Sequence, residues 1–332
     1  MYILSFESSC DETACAVLEM SDAVRKIKSN IIASSVDTQA LYGGVVPEIA
    51  SRAHVEVISS ITYKALEEAK LTIKDIDLIC VTNGPGLIGS LLVAVNFAKS
   101  LAYANGIPLV PVDHIKGHIA ANYLTYEKLN PPFVALVVSG GHTSFFDVKT
   151  YTDMAEFGST RDDAIGESFD KVGRVMGLPY PGGKAIDDLA YEGKAGSIPF
   201  PSPALHDSMD FSFSGIKTAV VNYLNTKRQK NEQINYADVA ASFTDTVVKA
   251  VTSKIKDAIN HTGYDKIVLS GGVSANSHLR REIENECKRI GASFYAPELI
   301  LCGDNAAMIG AQGYYEYLSG KVADESLNAY PN

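Results

Sequence analysis

The sequence of 332 residues lacks several features that would assign it to a common protein class. Its five cysteines include no CxxC pair, which suits neither a disulfide framework nor a thiolate zinc site, so we expect reduced and mostly buried thiols. No apolar run approaches the roughly 20 residues that a membrane-spanning helix needs. The first residues also lack the pattern of a secretory signal, and we therefore expect a cytoplasmic protein with no membrane contact.

Basic residues are in the minority. The chain has 29 lysines and arginines against 39 aspartates and glutamates, a formal net charge of −10. A polyanion would be repelled on average, which argues against autonomous, non-specific nucleic-acid binding. Two local basic clusters remain, Lys227–Lys230 and the pair Arg280-Arg281 with Lys288-Arg289. The solvated face of a helix is the simpler interpretation of both clusters.

The first part of the chain shows alternating strand and helix patterns. Tyr2–Glu7 and Ala14–Glu19 predict a β-hairpin, and Ala50–Ala69 predicts a helix. The apolar face of that helix is predicted to consist of Ala53, Val57, Ile61, Ala65 and Ala69. A strand, a helix, a strand and a helix are then predicted at Ile76–Thr82, from after Gly89 to about Asn105, at Pro108–Val112 and at His114–Tyr126. This order is typical of a sheet covered by helices on both faces.

The second part of the chain repeats the opening pattern. Phe133–Ser139 and Ser144–Val148 predict a second hairpin, whereas Tyr151–Pro203 is rich in glycine, proline and acids and no element is predicted there. The remaining predictions are helices at Ser214–Asn225, Tyr236–His261, His278–Ile290 and Ala306–Leu318, and strands at Lys266–Ser270 and Ser293–Ala296. Together these patterns predict an α/β protein built by duplication of a hairpin-led unit.

Three loops have a composition that suits ligand binding. In Val137–Thr143, two glycines stand where a hairpin turns, so backbone N–H groups can approach a phosphate without a Cβ in the way. In Ser270–Asn276 a strand meets a helix start, whose unpaired N–H groups could hold a ribose or phosphate. The acids of Ser8–Thr13 would repel a phosphate, so this loop is the more plausible catalytic one.

A metal site is predicted by the segment His114-Ile115-Lys116-Gly117-His118. If Asp113 caps a helix here, the two imidazoles lie on one face and can share an ion. The alternative is that one histidine packs or caps while the other lies on the surface. A helix N-terminus disfavours a cation, so an acidic third ligand is expected, and Asp304, in a loop, is the candidate.

The histidine spacing is also that of the metalloprotease motif HExxH. In that motif the glutamate between the histidines polarises the attacking water. Ile115 stands at the glutamate position in this sequence, and the base that peptide hydrolysis needs is therefore missing. The sequence thus argues against a peptidase.

Motifs that carry a family resemblance run along almost the whole chain, from residue 5 to about residue 310. In order, they are ESSCDET (7–13), PE-x-ASRAH (47–54), NGPGL (83–87), HIKGH (114–118), VVSGGHT (137–143), GESFDKV (166–172), YPGG (180–183), FSFSG (211–215), GGVSAN (271–276) and CGDNAAMI (302–309). Together they resemble the motifs of the bacterial TsaD/Kae1 family, whose enzymes are tRNA N6-adenosine threonylcarbamoyltransferases.

The resemblance implies an actin-like ATPase fold, as in sugar kinases and Hsp70. Two lobes of duplicated α/β topology, at 1–130 and 131–303, would hold the ligand in the cleft between them. A C-terminal helix at about 304–325 would pack back on the first lobe. The paired hairpins in the sequence agree with this expectation.

The resemblance also implies a reaction. Threonylcarbamoyl-adenylate would donate its acyl group to N6 of adenosine 37 in tRNAs that read codons beginning with A, and AMP would leave. His114, His118 and Asp304 would bind one divalent metal per subunit, usually Fe²⁺ in this family, with Zn²⁺ left open. A TsaB-like paralogue and a TsaE-like ATPase would be the partners. The adenylate would be held by Val137, Val138, Ser139, Gly140, Gly141, Asp170, Gly183, Asp187 and Asn276.

The chemistry of such a transfer needs a base. An exocyclic adenine amine is a weak nucleophile, so it needs an activated donor, close approach and a group that takes its proton. We expect Asp11 or Glu12 to be that base, the alternative being that both only shape the hairpin. The N–H groups of Ser139–Gly141 could receive developing negative charge.

Two other classes remain open on sequence grounds. The loops would also suit a small-molecule kinase or ATPase, but phosphoryl transfer usually recruits magnesium through carboxylates, whereas two imidazoles select a softer metal. A non-catalytic scaffold that binds nucleotide within a complex is the third interpretation. The acidic net charge keeps this interpretation open, because it suggests that partner proteins help to recruit tRNA.

Overall fold

The computed structural model describes residues 1–205 and 208–331, and the chain folds into two compact units. The first unit comprises Met1–Pro131, Thr150–Asp153 and Pro297–Asn332, and the second comprises Pro132–Lys149 and Met154–Ala296. Each unit encloses a hydrophobic core of its own. Within the described residues, no helix is long and apolar enough to cross a membrane.

The described residues form ten strands and eleven α-helices. The strands are β1 (Tyr2–Glu7), β2 (Glu12–Ser21), β3 (Val24–Ser34), β4 (Leu78–Gly84), β5 (Leu109–Asp113), β6 (Phe133–Val138), β7 (Thr143–Val148), β8 (Met154–Ser159), β9 (Lys266–Ser270) and β10 (Ser293–Tyr295). The helices are α1 (Val36–Ala40), α2 (Pro47–Ala69), α3 (Ile88–Asn105), α4 (His114–Thr125), α5 (Ile165–Met176), α6 (Gly182–Ala190), α7 (Ser214–Gln229), α8 (Tyr236–Ser253), α9 (Ile255–Thr262), α10 (Ser277–Ile290) and α11 (Ala306–Leu318).

The two sheets have the same topology. The first unit has the strand order β3-β2-β1-β4-β5, and the second has β10-β9-β6-β7-β8, which is the same arrangement listed from the other edge. In each, an antiparallel three-stranded meander is extended on one side by two parallel strands. The duplication predicted from the paired hairpins is confirmed.

Three predictions about the elements were wrong. The long strand β3 was missed because it is an edge strand whose residues are mostly half-buried and polar. The segment Tyr151–Pro203 contains β8, α5 and α6. Its glycines allow helices to pack closely, since a Cβ on Gly173 would lie 3.0 Å from the Cα of Gly182. The single helix predicted at Tyr236–His261 is broken at Lys254 into α8 and α9.

Helix α11 lies directly on the first sheet because it carries glycine where it meets the strands. A Cβ on Gly310 would lie 2.6 Å from Leu18 Cδ1, and one on Gly313 would lie 2.9 Å from Cys80 Cβ and closer still to its Sγ. No side chain fits at either position. This close approach holds α11 against the sheet, and the loop that carries Asp304 leads directly into this helix.

Replacing Gly313 by alanine should destabilise the protein. The added methyl group meets the buried Cys80 side chain, and overpacking of this kind costs about 1–3 kcal/mol. The midpoint of thermal unfolding should fall accordingly. Gly215→Ala is the control, because its methyl group would meet no atom within 4 Å in helix α7. An unchanged midpoint in Gly313→Ala would contradict the close contact.

Candidate metal centre

The two histidines of the HIKGH segment lie on one face of α4. Helix α4 begins directly after β5, and the Asp113 side chain caps it by accepting hydrogen bonds from the N–H groups of Ile115 (2.9 Å) and Lys116 (3.1 Å). The predicted N-cap is therefore confirmed. It places the buried rings of His114 and His118 one turn apart, edge to face, with their centroids separated by 4.6 Å.

Asp304 completes a cluster of three candidate ligands. It lies in the loop before α11, next to Asn305, which caps that helix through the Met308 N–H. Its Oδ1 is 3.2 Å from His118 Nε2 and 3.6 Å from His114 Nε2. One ligand atom from each of the three residues lies within 4.8 Å of the others. The structure thus brings together the residues that the sequence proposed as a metal site.

The state of His118 tests whether a metal fits. The ring is 1% exposed, and neither of its nitrogens forms a hydrogen bond within the described residues, although Nε2 faces Asp304 Oδ1 at 3.2 Å. A buried polar atom without a hydrogen bond destabilises the protein by about 1–3 kcal/mol, and a cation bound by Nε2 and Asp304 would remove this destabilisation. Two imidazoles and one carboxylate are a donor set that suits Fe²⁺ and Zn²⁺. The residues therefore fit a divalent transition metal.

Glu7, at the end of β1, contacts the ring nitrogen of His114 that does not face Asp304. The carboxylate is fully buried, and its Oε2 lies 3.0 Å from His114 Nδ1. Thr82 Oγ1 donates to the same oxygen and the Ser9 N–H donates to Oε1, both at 2.5 Å. Because Nδ1 faces Glu7, Nε2 is the nitrogen left to face Asp304. A carboxylate that accepts a hydrogen bond from one nitrogen of a ligating histidine fixes the orientation of the ring and raises the basicity of the other nitrogen.

Electrostatics support this arrangement. Burial raises the pKa of Glu7, but the adjacent His114 imidazole outweighs burial, and the pKa is lowered overall. Burial lowers the pKa of His114, but the Glu7 and Asp304 carboxylates outweigh it and raise this pKa to about 9. The site therefore concentrates negative charge around an imidazole, as a cation would require.

Glu7 is not among the site residues predicted from the sequence, although it is the first residue of the ESSCDET motif. The acids predicted from that motif were Asp11 and Glu12. The signal that could have identified Glu7 is its position at the end of a strand whose preceding residues are all apolar or small. A carboxylate in such a buried place needs specific partners, and those partners mark a site.

The predicted base candidates lie in the segment Ser8–Thr13, which we call the turn from β1 into β2: Asp11 precedes β2, and Glu12 is its first residue. Ser34 Oγ donates to Glu12 Oε1 at 3.1 Å, and Ser35 donates to the Asp11 carbonyl oxygen from its N–H and its hydroxyl, both at 2.9 Å. Burial, Asp304 and Asp11 together raise the pKa of Glu12 to about 9. These surroundings favour the protonated form of the Glu12 carboxyl group.

The predicted phosphate turn lies in the second unit. The Ser139 N–H donates to the His142 carbonyl oxygen at 2.8 Å, and the His142 N–H donates to Ser139 Oγ at 3.1 Å, which closes the turn. A Cβ on Gly140 or Gly141 would meet nothing within 4 Å, so there is space beside this backbone. Val137 and Val138 are core residues of β6, and only their backbone could contact a ligand.

The prediction that the start of α10 offers unpaired N–H groups is wrong. Asp187 accepts hydrogen bonds from the Ser277 N–H (2.9 Å), the Ser277 hydroxyl (2.8 Å) and His278 Nδ1 (2.7 Å). Asn276 Oδ1 accepts from the Leu279 N–H at 2.8 Å. Two predicted ligand-binding residues thus cap the helix themselves, which residue spacing alone could not reveal.

Asp170 and Gly183 lie where α5 meets α6. The Gly182 N–H donates to Asp170 Oδ1 at 2.7 Å, so this carboxylate fixes the start of α6. At Gly183 the nearest atom to an added Cβ would be Phe169 Cβ at 4.0 Å, which leaves the backbone accessible. The second unit therefore brings Asp170 and Gly183 together at one helix junction, and Asp187 and Asn276 at another.

Removing His118 should greatly reduce metal binding. His118→Ala deletes one ligand atom, so the affinity should fall by more than the roughly 10- to 100-fold typical of losing an outer-shell partner. Competition titration with a chelating dye and elemental analysis of the desalted protein would measure the loss. The control is His261→Ala, an exposed histidine that stacks on Phe157 in the second unit. Equal affinity in His118→Ala and the control would contradict the site.

Comparisons with known proteins identify relatives over the whole chain. The family model described as "TsaD: tRNA N6-adenosine threonylcarbamoyltransferase" matches residues 26–311. The chain is 53% identical to the tRNA N6-adenosine threonylcarbamoyltransferase of Clostridium botulinum strain 657, over 99% of this chain and 96% of that protein. It is also 53% identical to the protein of the same name from Clostridioides difficile strain 630, over 99% of this chain and 97% of that protein.

Solved structures support the fold at low sequence identity. HypF of T. kodakarensis superimposes with a TM-score of 0.62 and 14% identity, over 96% of this chain and 48% of that one. Component A of the Acidaminococcus fermentans (R)-2-hydroxyglutaryl-CoA dehydratase gives a TM-score of 0.56 at 14% identity, over 96% of this chain and 99% of that one. The fold is actin-like, as the resemblance implied. The chain belongs to the TsaD family of tRNA N6-adenosine threonylcarbamoyltransferases, transferases that modify tRNA.

Proposed function

We propose that the protein transfers the threonylcarbamoyl group of threonylcarbamoyl-adenylate to N6 of adenosine 37 in tRNAs that read codons beginning with A, and releases AMP. The observation that carries this proposal is the cluster of His114, His118 and Asp304, backed by Glu7. It occurs in a chain that is 53% identical to tRNA N6-adenosine threonylcarbamoyltransferases. In this proposal the cluster would hold the cation that acts on the activated acyl group.

The reaction is an acyl transfer. The N6 lone pair forms a bond to the carbamoyl carbon, and the bond from that carbon to the phosphate oxygen breaks with its electron pair on AMP. The proton lost by N6 passes to a protein carboxylate. We propose Asp11 or Glu12, which lie next to each other in the chain, as this acceptor.

One divalent metal per subunit, Fe²⁺ with Zn²⁺ as the alternative, would be held by His114, His118 and Asp304. A bound cation would supply a Lewis acid able to polarise the carbamoyl carbonyl or to bind the phosphate. The contribution of the chain itself is to orient the ligands: Glu7 fixes the His114 ring, and Asp113 fixes the start of the helix that carries both histidines.

The second unit would bind the adenylate. The Ser139–Gly141 turn supports this role because space is open beside its backbone, where an anion could accept hydrogen bonds. Val137 and Val138 would contribute backbone groups only. Asp170, Gly183, Asp187 and Asn276 would line the nucleoside portion. Since Asp187 and Asn276 cap α10, part of their role would be to hold that helix start in shape.

Partner proteins are part of the proposal. With a net charge of −10, the chain as a whole repels the phosphate backbone of tRNA. We therefore propose that a TsaB-like paralogue and a TsaE-like ATPase assist in recruiting tRNA, and that the protein works in the cytoplasm, where tRNA is found.

The proposal is tested by a transfer assay. Wild type, His114→Ala and the control His261→Ala are each mixed with unmodified tRNA, supplied threonylcarbamoyl-adenylate and both partner proteins. Modified adenosine is quantified by mass spectrometry of the digested tRNA. The rate in His114→Ala should fall about 100-fold or more, equivalent to the several kcal/mol that a Lewis acid supplies. His261→Ala should match wild type.

Two outcomes would contradict the proposal in different ways. Absence of transfer by the wild type, with all partners present, would reject the donor and the reaction. A full rate in His114→Ala would reject the role of the metal. Phosphorylation of a small hydroxyl or carboxylate compound under the same conditions, with ATP, would favour the kinase interpretation instead.

A further inference from the structure

The turn from β1 into β2 is tethered on several sides. The Leu87 N–H donates to the Ser9 carbonyl oxygen at 2.8 Å, and Ser35 holds the Asp11 carbonyl oxygen. These tethers come from Leu87, directly before α3, and from the segment after β3. A further contact comes from α2, and it is made by a histidine that the proposed chemistry does not use.

His54 lies on the buried face of α2, in line with Ala50 and Ile58. The side chain is fully buried, and both ring nitrogens have partners in the turn. Nδ1 is 2.7 Å from the hydroxyl of Thr13, and Nε2 is 3.0 Å from the carbonyl oxygen of Cys10. The imidazole therefore spans the two residues that flank Asp11 and Glu12.

The partners determine the tautomer of His54. A carbonyl oxygen can only accept, so Nε2 carries the hydrogen that bonds to Cys10. Burial lowers the pKa of His54, which favours the neutral ring. Nδ1 of a neutral ring with hydrogen on Nε2 is an acceptor, and the Thr13 hydroxyl must donate to it. Both bonds are thus directional, and together they fix the two ends of the turn relative to α2.

We propose that His54 is a positioning residue for the reaction: bridging Cys10 and Thr13, it holds the turn in the conformation that directs Asp11 and Glu12 at the reacting groups. This inference rests on the proposed acid–base role of those two carboxyl groups. A histidine suits the position because one rigid ring supplies a donor and an acceptor in opposite directions. An apolar residue of the same size would fill the space and leave both partners without a bond.

The experiment compares His54→Phe and Thr13→Val with the matched control Thr62→Val. Phenylalanine keeps the ring and removes both hydrogen bonds, while Thr13→Val removes one and leaves the histidine in place. Thr62 is also a buried residue of α2, but its hydroxyl donates to the carbonyl oxygen of Ile58 in its own helix, at 2.7 Å. Each full-length variant is assayed for transfer with all partners, and backbone amide exchange is followed by mass spectrometry.

We expect faster exchange in both turn variants, confined to residues 8–14, and a fall in kcat of about 10- to 100-fold with unchanged KM for tRNA and donor. Thr62→Val should show neither change. If His54→Phe fails to fold, Thr13→Val gives the same test. Unchanged protection of the turn, or an unchanged kcat where Asp11→Asn abolishes transfer, would overturn the inference.

Two further variants, Asp11→Asn and Glu12→Gln, assayed alongside these separate this inference from the proposed function. If Asp11→Asn and Glu12→Gln both transfer at the full rate, the acid–base proposal fails. The role of His54 in fixing the turn is then decided by the exchange data alone: faster exchange in His54→Phe supports it, and unchanged exchange overturns it.

Discussion

The candidate metal centre depends on one buried contact, between the Glu7 carboxylate and His114 Nδ1. A charge taken out of water needs an oppositely charged or hydrogen-bonding partner, and removing one member of such a buried pair typically costs about 3–5 kcal/mol. Glu7 has three such partners, from the turn that follows β1, from β4 and from α4. Through these three contacts Glu7 connects three segments of the chain. Its contact with Nδ1 also leaves Nε2 as the nitrogen of His114 that can bind an ion.

The rest of the site follows from where these segments lie. The sheet places β1 beside β4, and β4 beside β5, so the end of β1 comes close to the helix that follows β5. Helix α11 reaches the same region from the far end of the chain because Gly310 and Gly313 let it lie on the sheet. Residues distant in sequence thus converge within the first unit, and no single motif contains the whole site.

Much of this could be predicted from the sequence where the physical signal is local. The hairpins, the Asp113 cap and the four-residue spacing of the histidines depend on neighbouring residues, and all three are present in the structure. The membership of Asp304 in the cluster is a contact between distant segments. It was proposed from the chemistry of the site and from the family resemblance, and residue spacing alone could not establish it.

The errors share a physical cause, which is that burial was inferred from apolar character. The predicted apolar face of α2 included Ala53 and Val57, but the buried stripe passes through His54 instead. Glu7 was overlooked for the same reason. Both are polar residues that are fully buried because other segments of the chain satisfy them. Those partners become visible only when the segments are assembled.

The most direct measurement is a crystal structure of the protein loaded with Fe²⁺ or Zn²⁺, with the ion located by anomalous scattering. The account predicts one peak per subunit, bound by His114 Nε2, His118 Nε2 and Asp304 at about 2.0–2.2 Å, with His114 Nδ1 still on Glu7. A peak elsewhere, or coordination of the ion through His114 Nδ1, would contradict it.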